Sequence, residues 1–97
     1  MKFIAFFAFV ATVSATTIYP SADSSCRTVD HTSISRCGST PLDYDIVQAK
    51  IRYDGHAVVW YQESTCSTSG GGDVAYVTKS EDCYKLPFKP RCVHIRC

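Results

Sequence analysis

Three histidines, His31, His56 and His94, are the side chains best suited to proton transfer in this chain, and Arg52, His56 and Glu63 lie close together in sequence. A histidine, a glutamate and an arginine are the groups with which a small secreted ribonuclease moves a proton and steadies a phosphate. That work requires them to converge within hydrogen-bond reach. No motif here imposes such convergence, so no catalytic residue is assigned and a non-enzymatic protein is expected. A serine or cysteine hydrolase fits less well. There is no Gly-x-Ser-x-Gly, and cysteines exported to an oxidising space are paired rather than nucleophilic.

The six cysteines are Cys26, Cys37, Cys66, Cys83, Cys92 and Cys97. Neither Cys-x-x-Cys nor His-x-x-x-His occurs, so no metal site and no cofactor are expected. Three disulfides are the reading, with the pairing open. The N-terminus agrees: Lys2 precedes an apolar run over residues 3–13, and Val13 and Ala15 are small residues suited to a signal-peptidase site. Residues 1–15 read as a secretory signal peptide, too short to span a bilayer comfortably, with cleavage after Ala15. The mature chain is then soluble, extracellular and small enough to need covalent help, each disulfide contributing about 2–4 kcal/mol. Residues 16–25, rich in Ser and Thr, read as a loose N-terminal lead-in, and residues 26–97 as a single cysteine-rich domain.

The formal net charge is +1, and removal of Lys2 with the signal brings it to zero. With no basic run, nucleic-acid binding and stable membrane insertion are not expected. The chain contains no Asn, hence no N-glycosylation acceptor.

The elements that would hold these residues are strands. In residues 46–53, Val47, Ala49, Ile51 and Tyr53 alternate with Gln48, Lys50 and Arg52, the period of a half-buried strand. Asp54-Gly55 breaks it. Residues 57–62 form a second strand rich in Val and aromatics, 74–78 a third, and 93–97 a last one with Val93, Ile95 and Cys97 on one face. Residues 67–73, Ser-Thr-Ser-Gly-Gly-Gly-Asp, read as a flexible loop. No amphipathic helix is evident in the mature chain. The fold class is all-β: a small disulfide-stapled sandwich of two sheets.

Lys50-Ile51-Arg52 is echoed by His94-Ile95-Arg96, an offset of 44 residues from Ile51 to Ile95. Residues 50–66 resemble the boundary between the two Greek-key motifs of a βγ-crystallin domain, where a Ser-Ile-Arg-type strand leads through a turn into an aromatic-Tyr-Glu strand. Here Ile51-Arg52-Tyr53, Trp60-Tyr61-Gln62 and Cys66 fall at corresponding spacings. Asp82-Cys83, Leu86 and Arg91-Cys92 followed by Ile95-Arg96 resemble the tail of the next motif. The resemblance implies a two-sheet Greek-key sandwich in which the Asp54-Gly55 link crosses between sheets, although Asp-Gly between strands otherwise signals a hairpin. It also implies a small secreted fungal protein of the effector type, related in fold to crystallin-like killer and antifungal toxins.

The chain departs from that family where calcium would bind. Lys50 and His94 replace the motif serine, and Lys has the wrong sign for a hard cation. The motif glycine has no counterpart near Cys66.

Tyr53, Trp60, Tyr61, Tyr76, Tyr84 and Phe88 suggest carbohydrate binding, but aromatics chiefly build small β cores. Trp60 and Tyr61, as strand neighbours, point to opposite faces, so one is core and the other outward. Trp60, Tyr61 and His94 are the candidate contact surface. The expected role is a virulence effector that binds a host extracellular protein or glycan as a monomer, in the apoplast if the host is a plant. A toxin against competing microbes is the alternative, and a small secreted ribonuclease the third.

Overall fold

The computed structural model describes residues 13–22, 26 and 32–97. His31 and most of the signal segment lie outside these. Among the described residues every regular element is a strand, and no helix is long and apolar enough to cross a membrane. Eight strands form two antiparallel four-stranded sheets. They are β1 (Val13–Ser21), β2 (Ile34–Arg36), β3 (Gly38–Pro41), β4 (Gln48–Arg52), β5 (Val58–Tyr61), β6 (Val74–Val77), β7 (Glu81–Lys85) and β8 (Cys92–Ile95).

Sheet A runs β2-β1-β4-β7 and sheet B runs β3-β8-β5-β6. Adding four to β2-β1-β4 gives β6-β5-β8, so each half of the chain contributes three strands in the same order to its own sheet. Its third strand, β3 or β7, lies on the edge of the opposite sheet. The registers repeat as well. Ile51 on β4 stands opposite Ile18 on β1, and Ile95 on β8 stands opposite Val58 on β5. The echoed Ile-Arg segments therefore occupy equivalent strands.

One core joins the sheets. Ile18, Ala49 and Ile51 from sheet A meet Val58, Trp60, Val77, Val93 and Ile95 from sheet B, all buried. Alternation explains the choice: on β4, Ala49 and Ile51 turn inward while Lys50 and Arg52 are exposed. β4 and β5 lie in different sheets, so Asp54-Gly55 is a crossing and not a hairpin. Gly55, at φ 93, takes the left-handed turn there.

In the extent and facing of its strands the structure differs from the sequence reading in four places. Residues 16–21 are no loose lead-in but part of β1, inside sheet A between β2 and β4. The alternation was masked because its buried positions are Thr16, Ile18 and Pro20, only one of them an obvious strand hydrophobe. β2 pairs with β1 only as far as Ile18, so Pro20 sits where β4 is the single neighbour. Val47 precedes β4 and is 42 % exposed, and Cys97 follows β8 and is exposed, so neither belongs to the inward face. β7, with the sequence Glu-Asp-Cys-Tyr-Lys, is an edge strand whose charge hides it from pattern reading.

The disulfides are Cys26–Cys83, Cys37–Cys97 and Cys66–Cys92. Cys26 and Cys66 occupy the β1–β2 and β5–β6 connections at the same offset as Ile18 and Val58. Both adopt left-handed backbone, φ 56 and 53, which is uncommon outside glycine. Cys66 is tied to Cys92 on β8. Cys26 lies near the equivalent residue, Gln48, its sulfur 3.9 Å from Oε1, and bonds one strand further out on β7.

Candidate functional site

The outer face of sheet B carries the most promising group of side chains. Alternation on β5 sends Val58 and Trp60 into the core and Val59 and Tyr61 outward; on β8 it sends Val93 and Ile95 inward and His94 outward. Register then aligns Ser39, His94, Val59 and Tyr76 in one row across all four strands. Val59, although on the outer side, is only 1 % exposed, so its neighbours cover it. Tyr76 is 60 % exposed. Ser39 Oγ and His94 Nδ1 are hydrogen-bonded at 2.8 Å, which fixes the imidazole against β3.

These residues, with Tyr61, Cys66 and Arg96, line an open groove of about 400 Å³. Among the described residues, none that lines the groove carries a carboxylate, and Arg96 makes no ion pair. The Cys66–Cys92 bridge fastens the β5–β6 connection to β8 directly beside Tyr61, which pairs with Cys92.

That connection is a loop, as its three glycines imply, and it is tied back to the end of β5 by hydrogen bonds. The amides of Gly70 and Gly72 donate to the Glu63 carboxylate at 2.9–3.1 Å, and the Asp73 amide donates to Gln62 Oε1 at 3.0 Å. A Cβ on Gly72 would lie 2.8 Å from Glu63 Cγ, so glycine is needed for the approach.

The other sequence candidates separate. Glu63 follows β5 and has its carboxylate engaged by loop amides, whereas His56 precedes β5, with Nδ1 3.6 Å from Cys97 Sγ. A four-residue strand stands between them, so at roughly 3.3 Å per residue they sit at opposite ends of sheet B. Trp60 is fully buried and points away from Tyr61 and His94, so it offers no contact surface. Among the described residues its indole Nε1 has no hydrogen-bond partner. Ser39 is not singled out by the sequence; Tyr76 stands there only within the aromatic set, and Arg96 only in the echo of Lys50-Ile51-Arg52. The outward position of Tyr76 in Val-Ala-Tyr-Val and the echo of Arg52 by Arg96 were the available signals.

A second concavity, about 330 Å³, lies between residues 45–47 and 86–89 and is lined by Ile46, Val47, Leu86 and Phe88. Lys89 Nζ bridges to Asp45 Oδ1 at 2.8 Å, and this hydrogen bond and charge hold the Asp45 carboxyl below its ordinary range. Burial, with Asp43 nearby, raises the Tyr44 hydroxyl pKa; burial, with Glu81 nearby, does the same for Tyr84.

No protein-family model, curated protein or solved structure matches the chain.

Proposed function

We infer that this is an extracellular, non-enzymatic recognition protein, secreted by a fungus and directed at a plant-host component. It is a βγ-crystallin-like domain of two Greek-key motifs. The fold reading is supported by the exchanged third strands, by the Asp54-Gly55 crossing and by the coincidence of the Ile-Arg echo with equivalent strands. The extracellular reading is supported by three disulfides and by the apolar N-terminal run.

The observation that carries the functional reading is the outer face of sheet B. An exposed tyrosine, a second tyrosine, a histidine and an exposed arginine surround the covered Val59 on a covalently clamped sheet. Aromatic and arginine side chains on a rigid support are the usual anchors of recognition surfaces.

The test applies oxidised protein to plant extracellular fluid proteins and to isolated plant cell wall, alongside growth-inhibition titrations on fungi and bacteria. Saturable retention on host material, weakened by Tyr76→Ala, is expected. Dose-dependent killing of microbes without host retention would transfer the protein to the toxin class.

A further inference from the structure

We propose that the groove on the outer face of sheet B binds a carboxylated saccharide, a chain of uronic-acid residues. This rests on the reading of that face as the recognition surface and names its ligand.

Four observations converge. The groove combines two tyrosines, Tyr61 and Tyr76, with a cation, and Tyr76 is 60 % exposed beside the covered Val59. Tyrosine faces carry negative quadrupole charge and attract the polarised C–H edges of a sugar ring. Arg96 is exposed, makes no ion pair among the described residues and stands in a groove whose lining residues carry no carboxylate, so a ligand carboxylate meets attraction there; a guanidinium engages a carboxylate through two parallel N–H donors. Ser39 and His94 are preorganised by their mutual 2.8 Å bond, leaving the second imidazole nitrogen for a sugar hydroxyl. The groove is open, with a volume of about 400 Å³, inside the range of roughly 300–1,000 Å³ typical of small-ligand sites.

The competing ligands match less. A nucleic-acid strand calls for several phosphate contacts, and the groove offers one arginine on a chain of near-zero net charge. A peptide would use a sheet edge or a deep apolar pocket for an anchor residue, and this is the face of a sheet with a predominantly polar lining.

Oxidised protein is titrated with an oligogalacturonide trimer, its methyl-esterified form, a neutral glucose trimer and a short single-stranded RNA, by calorimetry and amide chemical-shift mapping. The acidic trimer is expected to shift the amides of Val59, Tyr76, His94 and Arg96. Its affinity should fall about tenfold or more on esterification and in Arg96→Gln, since hydrogen bonds to a charged group are at stake. Tyr76→Ala should weaken the acidic and neutral trimers alike. Arg52→Gln, the equivalent residue on β4 in sheet A, should leave binding unchanged.

Equal affinity for the esterified trimer, indifference to Arg96→Gln, or tighter binding of RNA would overturn the proposal. If no trimer binds while host material is still retained in a Tyr76-dependent way, the saccharide assignment is wrong and the recognition face stands. Loss of both removes the face itself.

Discussion

Leu42 and Leu86 are bound to each other's halves of the molecule in the same way. The Leu42 amide donates to the Arg91 carbonyl at 2.9 Å, and the Leu86 amide donates to the Val47 carbonyl at 3.2 Å. A second matched pair follows: the Val47 amide to Ser21, and the Arg91 amide to Tyr61. Both leucines are buried. Leu42→Ala and Leu86→Ala should therefore each cost about 2–5 kcal/mol, as buried leucine truncations do. Denaturant unfolding of the two variants checks this; a near-neutral effect at either site would contradict the shared structural role.

Thr16 fastens the crossing between the sheets. Its buried hydroxyl accepts the amides of Asp54 at 2.9 Å and of His56 at 3.3 Å. Thr16→Val keeps the shape and removes the acceptor, so about 1–2 kcal/mol of stability should be lost. Thr16→Ser should lose less. Thermal melts compare the two, and faster exchange of the Asp54 amide in the valine variant locates the effect.

Glu63 organises the β5–β6 connection. Glu63→Ala leaves the Gly70 and Gly72 amides without their acceptor, and a loss of about 1–2 kcal/mol is expected, Glu63→Gln being intermediate. Gly72→Ala should displace the same carboxylate by crowding its Cγ. Hydrogen exchange at residues 70–73 should accelerate in all three variants.

The Asp45–Lys89 pair predicts a direction with pH. The folded carboxyl is held below its unfolded pKa, so its contribution to stability is present above the unfolded value. That contribution disappears as pH falls through the lowered folded value. In Lys89→Gln the Asp45 carboxyl should titrate at a higher pH, visible by NMR, with only a slight change in melting temperature because the pair is exposed.

Much of the architecture was legible where side-chain chemistry and strand period agreed. Ala49, Ile51, Val93 and Ile95 are apolar, alternate with charged or polar residues, and lie in the core. β1 was hidden because Thr16 and Pro20 face inward without looking apolar, and β7 because an edge strand needs charge. Tyr61 and His94 were identified as surface candidates and do share one face. Trp60 was wrongly grouped with them: sequence established that Trp60 and Tyr61 oppose each other, but not which one the core takes. Arg96 and Ser39 come to share one face with Tyr76 only through pairing between β3, β8, β5 and β6, and no local pattern encodes that pairing.

The most direct measurement compares retention of oxidised wild-type protein, Tyr76→Ala and Arg52→Gln on plant extracellular material at equal concentration. Saturable retention of wild type and of Arg52→Gln is expected, with a clear loss for Tyr76→Ala and the same near-ultraviolet signature of the buried Trp60 in all three. Equal retention of Tyr76→Ala, or no saturable retention of any form, would contradict recognition through the outer face of sheet B.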